Sequence, residues 1–198
     1  MINLLLTLFS ESNKALPYPE AVFDGGFFME NPRPFYDLAR DVFPAILRPT
    51  DTHKFFTLLN NKGILKRVYT QNIDTLESLA GLPPEKLVEA HGSFRESHCL
   101  SCKEMFDMKY MKEAIFDVES NDGIPKCNKC RSNIKPDVVL FGEALPERFW
   151  ACMRRDFEEC DCLLIFGTSL AVSPFNALPC KVPKVRLGFY SEIWSGFI

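Results

Sequence analysis

The sequence predicts an α/β chain in which a parallel sheet is interrupted by a small cysteine-rich module. Three observations carry this. The short apolar runs "DVVLF" and "CLLIFG" read as strands buried on both faces. The stretch between them, "PERFWACMRRDFEEC", has helical spacing, and strands alternating with helices imply a parallel sheet covered on both sides. Residues 92–135 differ in kind, with two Cys-x-x-Cys pairs, many charges and few strand signals.

The bulk properties agree with a globular protein. At 198 residues the chain fits one domain with a smaller insertion, and 46% hydrophobic residues supply a core. A net charge of -3 gives no field to attract a polyanion, so no nucleic-acid partner is expected. The longest apolar run, "LLLTLF", is far too short to span a bilayer. It lacks a basic flank and a clear small-residue cleavage site, so it does not read as a signal peptide. Eight cysteines then suggest metal or redox chemistry in a reducing compartment, cytoplasm or nucleus, rather than disulfides.

Taken in order, the opening "ALPYPEAVFDGGFFMENPRP" is rich in Pro and Gly and reads as loop. "RPFYDLARDVF" carries Phe35, Leu38, Ala39 and Val42 at helical spacing. "TDTHKFFTLLNNKG" begins with cap-type Thr50 and Asp51 and ends at Gly63, a helix with both end signals. "ILKRVYT" reads as a short buried strand, and "DTLESLAG" as a helical turn stopped by Gly81. After the cysteine-rich segment come the strand "DVVLF", a helix opened by Pro146 with Phe149, Met153 and Phe157 on one face, and the strand "CLLIFG".

Cys99 and Cys102 form one pair, Cys127 and Cys130 the other, with 24 residues between the pairs. Two such pairs can converge on a tetrahedral zinc ion, and "MKYMKEAIFDV" can take up the extra length as a helix. Four thiolates leave the metal no open position, so the site is structural; Lys103, Lys126, Lys129 and Arg131 offset its charge. The alternatives are unrelated reduced thiols or a redox pair. Cys152, Cys160, Cys162 and Cys180 are expected to be small buried hydrophobes. Neither nearby histidine is needed as a ligand: His98 reads as a surface residue or one supporting the metal site, and His91 stays open on this evidence.

Polar residues crowd the strand ends. Gln71, Asn72 and Asp74 follow "VYT", where open α/β sheets bind ligands, although Asp74 can equally cap the helix after it. Gly167, Thr168 and Ser169 follow "CLLIF", and their backbone can approach a nucleotide or simply turn. "PDVVLFGE" stops at Gly142 and Glu143.

These motifs together carry a resemblance. "YTQNIDTLESLAG", "EAHGSF", the four cysteines, "KPDVVLFGEALP" and "LLIFGTSLAVSPF" stand in the order found in sirtuins, the NAD-dependent protein deacylases. "LPYPEAVF" resembles the cytoplasmic and yeast-type branch, and the likeness runs from about Leu16 to about Pro183. It implies an incomplete Rossmann-like parallel sheet, residues 45–91 and 136–198, with a zinc-binding module at 92–135 and an atypical segment at 1–44 that holds a remnant of the cofactor loop and helical module. The implied reaction transfers an acyl group from lysine to the ADP-ribose of NAD+, releasing nicotinamide.

By the same resemblance His91 is the general base, a role suited to an imidazole with a pKa of ~6.5. Asn72 is catalytic and, with Ile73 and Asp74, surrounds the nicotinamide. Gln71 contacts ribose, and Gly167, Thr168 and Ser169 lie by the far phosphate and ribose. Val139 and Leu140 line the acyl-lysine tunnel, where the family often has Phe at the place of Leu140, Phe141 is a further substrate-binding residue, and Gly142 and Glu143 pair with the peptide backbone. Zn2+ is structural. The implied partners are proteins with acylated lysines, histones among them.

The two ends depart from the pattern. The family's Gly-Ala-Gly-Ile-Ser loop and Asp-Phe-Arg segment are replaced by "MINLLLTLFSESNKA", and "KVPKVRLGFYSEIWSGFI" has strand character without the usual Asn-x-Glu. Both read as alternative or truncated ends. The alternative function is therefore a catalytically impaired sirtuin that keeps zinc and binds peptides or partners without turnover.

Overall fold

The computed structural model describes residues 16–43, 47–183 and 188–191. The expectations for Met1–Ala15, including the replaced phosphate loop, lie outside the described residues, as does most of the C-terminal stretch. The chain divides into two compact units, residues 1–146 and 147–198.

The first unit opens with helices where a loop was expected. A 3-10 helix spans Pro19–Phe23 and α1 spans Gly25–Glu30. The Asp24 side chain accepts from Phe27 N at 2.8 Å and caps α1. The glycine pair thus sits in the first turn, and Phe28 is buried a turn later. The expected helices follow. α2, Arg33–Val42, buries Phe35, Tyr36, Leu38 and Ala39. α3, Asp51–Asn61, is capped by Thr50, whose N–H donates to His53 Nδ1 at 3.1 Å, and Gly63 past its end has φ +71°.

The strand expected at "ILKRVYT" is shorter and less buried than its composition suggests. β1 is Val68–Thr70, and Ile64 is 72% exposed. β1 pairs in parallel with β2, Leu87–Glu89, in register Thr70↔Glu89. Between them α4, Leu76–Leu79, is the expected helical turn, and Gly81 has φ +93°.

Residues 92–135 contain more strand than the sequence suggests. β3, Gly92–Cys99, is central in an antiparallel sheet of order β4-β3-β5, with β4 at Met105–Asp107 and β5 at Ile134–Val138. The strand expected at 137–141 therefore begins three residues earlier, ends at Val138 and runs antiparallel. α5, Met108–Phe116, is the helix anticipated in "MKYMKEAIFDV", followed by the short α6, Val118–Asn121.

A shared core explains this order. Phe28, Phe35 and Tyr36 from α1 and α2 join Phe43, Phe94 of β3, Met111 and Ile115 of α5, and Ile134 of β5 in one buried cluster. Phe35 stacks on Phe94 with ring centroids 6.2 Å apart. The Tyr36 hydroxyl donates to the Ile134 carbonyl, and burial pushes its phenol pKa up. The sheet around the cysteines is thus packed directly on the N-terminal helices.

In the second unit α7, Glu147–Asp156, buries Phe149 and Met153, with Phe157 just beyond, and Phe149 lies 5.6 Å from the Phe175 ring. β6, Leu163–Phe166, pairs in parallel with β7, Gly188–Ser191. The parallel sheet among the described residues is therefore two separate pairs. Within β6, Leu164 is 38% exposed. Cys152 is buried as expected and Cys160 half-buried, but Cys162, just before β6, and Cys180, within a 3-10 helix at Pro179–Lys181, are exposed. No described helix is long and apolar enough to cross a membrane.

Candidate active site and metal centre

The four expected metal ligands converge. Cys99 ends β3, and Cys102 follows after a tight turn in which Lys103 N donates to the Cys99 carbonyl at 3.1 Å. The second turn is built the same way, with Arg131 N donating to the Cys127 carbonyl at 2.9 Å. Lys103 and Arg131 both adopt left-handed backbone, φ 60° and 65°, at a cost of about 1–2 kcal/mol each that the surrounding site must offset.

The Cys99 and Cys130 sulfurs are 3.4 Å apart, those of Cys102 and Cys127 are 3.6 Å apart, and all four lie within 4.8 Å of one another. A tetrahedral ion with bonds of ~2.3 Å sets sulfurs about 3.8 Å apart, so the cluster fits zinc, and no cysteine is bridged in a disulfide. The site is closed and structural. Leu100 N to Asn133 O, 2.9 Å, and Cys127 N to Ser132 O, 2.8 Å, tie it into the β3–β5 sheet. Of the four expected balancing cations, Lys129 also serves Glu104 at 2.6 Å. His98 is outside the cluster, its Nδ1 2.8 Å from Asp137 Oδ1 on the neighbouring strand.

The polar segment after β1 is folded tightly. Asn72 N donates to Thr70 Oγ1 at 3.1 Å, and Ile73 packs on the core. Asp74 does cap the helix after it: its Oδ1 accepts from Leu76 N at 3.0 Å. Its Oδ2, however, is buried with no hydrogen-bond partner, as is Glu77 Oε2, and both residues are 3% exposed. Burial raises both carboxyl pKa values; the Leu76 N–H opposes it for Asp74, and a hydrogen bond from Thr70 opposes it for Glu77.

Donor atoms of His53, Asp74 and Glu77 all lie within 4.8 Å of one another. His53 and Glu77 were not among the sequence candidates. Asp74 and Glu77 stand three apart at a helix start and so share a face, a readable signal, whereas the approach of His53 from α3 is purely tertiary.

His91 lies between β2 and β3. Its Nδ1 is 3.0 Å from the Gln71 carbonyl oxygen. A carbonyl only accepts, so Nδ1 carries the proton and the neutral ring keeps its lone pair on Nε2. Burial lowers the His91 pKa, and the bond to Gln71 opposes that shift. Gly92 is required here. It has φ +67°, and a Cβ would stand 1.7 Å from the Asp137 carbonyl oxygen.

Residues 139–143 run alongside. Val139 N donates to the His91 carbonyl at 2.8 Å, Phe141 N to the Phe23 carbonyl at 2.8 Å, and Gly25 N to the Phe141 carbonyl at 3.1 Å. Leu140 is buried, Phe141 is 48% exposed, and Gly142, φ +90°, turns the chain before Glu143. The first unit thus brings Gln71, His91 and Val139 together. In the second unit Gly167 has φ +58°, and Leu170 N donates to Thr168 Oγ1 at 3.1 Å, so this strand end, with Ser169, is at least a turn.

Comparison with known proteins gives the family. The chain matches the Sir2 family over residues 7–174 and belongs to it. It is 53% identical over 180 residues to the NAD-dependent deacetylase sir2A of Dictyostelium discoideum, an alignment covering 88% of this chain and 34% of that protein. It is 51% identical over 169 residues to the NAD-dependent protein deacetylase sirtuin-2 of Danio rerio, covering 84% of this chain and 44% of the relative. Against the NAD-dependent protein deacetylase hst2 of Schizosaccharomyces pombe the identity is also 51% over 169 residues, covering 85% and 50%. The chain therefore spans between a third and a half of the length of these relatives. The Rossmann-like α/β class and the likeness to yeast-type members, both expected from the motifs, agree with this.

Proposed function

We propose that the chain is an NAD-dependent protein-lysine deacylase of the Sir2 family. The observation that carries this is the placement of His91, with its ring on the Gln71 carbonyl and its backbone on Val139. That arrangement presents an unprotonated Nε2 as a base at pH 7 and fixes it to the segment 139–143. The names of the relatives, all NAD-dependent deacetylases, support the same reading.

NAD+, when bound, supplies the ribose carbon that accepts the acyl oxygen and the nicotinamide that leaves. The residues fit such a guest at one testable point. Asp74 Oδ2, buried and without a partner, suits the N–H of a carboxamide. Asn72 and Ile73 form the rest of that pocket and Gln71 meets the ribose, with Asn72 and His91 as the catalytic pair. His91 Nε2 takes up a proton from a ribose hydroxyl. Gly167, Thr168 and Ser169 serve the far phosphate and ribose. Val139 and Leu140 line the acyl-lysine tunnel, Phe141 also meets the substrate, and Gly142 and Glu143 pair with the peptide. Residues 92–135 serve as a structural zinc module. The substrates are acylated lysines of proteins such as histones, in cytoplasm or nucleus, in keeping with eight free thiols.

The test is release of nicotinamide by purified zinc-loaded chain. Release that requires both NAD+ and an acetyl-lysine peptide supports the proposal. Peptide binding without release favours the impaired, binding-only alternative.

A further inference from the structure

The segment Val139–Glu143 is held on its two edges in different ways. The backbone groups of Val139 and Phe141 point to one edge and bond His91, Phe23 and Gly25. The backbone groups of Leu140, between them, point to the other edge. Both of its backbone groups go to one residue: Leu140 N donates to Glu143 Oε2 at 2.8 Å, and Glu143 N donates to the Leu140 carbonyl at 3.0 Å. Gly142, with φ +90°, makes that reversal possible.

Glu143 is an acid at the surface, its side chain 39% exposed. An exposed carboxylate is ordinarily hydrated and samples several rotamers. Here it is anchored. Lys135 on β5 is only 14% exposed at its side chain, and its Nζ donates to Glu143 Oε2 at 3.0 Å and to the Val138 carbonyl at 2.7 Å, with the Pro136 carbonyl at 3.4 Å. An ammonium has three donors, and these three oxygens occupy them. A largely buried ammonium is costly unless so satisfied. On its other side the Glu143 chain lies beside Gly25, where an added Cβ would stand 3.7 Å from Glu143 Cγ.

We propose that Lys135 is a positioning residue for substrate: acting through the Glu143 carboxylate, it holds Leu140 and the Gly142 turn in the geometry that receives an acyl-lysine peptide. This rests on the assignment of Val139–Glu143 as the substrate segment. Lys135 touches no reacting atom. The strong element is the chain ammonium–carboxylate–amide, in which each bond is charge-assisted. Removing the ammonium frees the carboxylate to swing into solvent, and Leu140 N then loses its acceptor.

The test uses the full, zinc-loaded chain in three forms, wild type, Lys135→Met and Lys135→Arg. Two readouts are taken without NAD+: amide hydrogen exchange at Leu140, and binding of a fluorescent acetyl-lysine peptide. In Lys135→Met, Leu140 exchange rises and peptide affinity falls, each by about tenfold, the scale of one hydrogen bond to a charged group. The Val139 and Phe141 amides, zinc content and melting temperature stay at wild-type values, and Lys135→Arg recovers most of the affinity. A general loss of stability would instead speed exchange at all three amides. Unchanged Leu140 exchange, or raised exchange with unchanged peptide affinity, overturns the proposal. If Lys135→Met loses its zinc, Glu143→Ala, which removes the acceptor of Leu140 N, takes its place, and wild-type protection of Leu140 in that variant is the overturning result. A wild-type chain that binds no peptide sinks the substrate assignment and the positioning role with it, whereas Lys135-dependent exchange at Leu140 still separates that outcome from failure of the clamp itself.

Discussion

Val139 donates its backbone N–H to the carbonyl of His91 at 2.8 Å, so the candidate base and the candidate substrate segment are joined through the main chain. The same histidine reaches Gln71 through its ring. One residue thereby couples the strand end after β1 to the segment after β5, two stretches 68 positions apart by the numbering of Gln71 and Val139.

His91→Ala removes the base while leaving the backbone bond to Val139. The expected result is a loss of about 10²–10⁴-fold in acyl transfer with zinc content unchanged, measured by peptide turnover and metal analysis. Loss of zinc in this variant would mean that His91 is a structural residue.

The pH dependence follows from burial of the ring. The His91 pKa lies below its ordinary 6.5, so the imidazole is still neutral at pH 7. The acid limb of the kcat/KM profile is therefore expected below pH 6.5, and an NMR titration of His91 should show the same midpoint. A limb above pH 7 would contradict this reading.

The metal prediction separates cysteines from histidine. Cys130→Ser is expected to lose the zinc ion and lower the melting temperature, because the ion closes the turns that hold β3 to β5. His98→Ala is expected to retain one zinc per chain, since its partner is Asp137. Elemental analysis of the two variants is sufficient.

Glu77 gives a stability prediction with a defined sign. Burial raises its carboxyl pKa above the unfolded value near 4.5. Its favourable contribution is thus complete below pH 4.5 and is lost as pH rises through the raised folded value. Glu77→Gln, which cannot ionise, escapes that loss. The melting temperature of the variant relative to wild type is expected to increase from pH 4.5 to pH 8, and a flat difference would show that Glu77 is not burdened by its burial.

The elements legible in the sequence were those with local causes. α2 and α7 follow from apolar spacing, α3 from Thr50 and Gly63, and the metal cluster from Cys-x-x-Cys spacing. α1 was hidden because its signal is a single capping bond from Asp24, masked by a glycine pair that ordinarily marks a loop. β3 was hidden because "GSFRESHC" is polar: Ser97 is fully buried, and the strand is enclosed by metal-binding turns and by packing of Phe94 rather than by its own apolar content. The run "DVVLF" suggested a parallel core strand because periodicity cannot tell which partner an apolar run will find.

In the candidate site, the four cysteines were visible from their spacing and Asp74 from its place at a strand end, whereas His91 stayed open on its neighbours and took its role only from the resemblance. His53 and Glu77 were not visible, since their proximity to Asp74 arises only when α3 packs against the turn at α4. Lys135 gave no signal, because a lysine on a strand is ordinarily a solvated surface residue and its burial depends on Glu143 folding back.

The most direct measurement is mass spectrometry of the products formed by zinc-loaded chain with NAD+ and an acetyl-lysine peptide, beside His91→Ala. The account predicts O-acetyl-ADP-ribose and deacetylated peptide in equal amounts from the wild type, and about 10²–10⁴-fold less of both from the variant. Folded wild-type protein that retains its zinc and binds the peptide yet yields no product would contradict it.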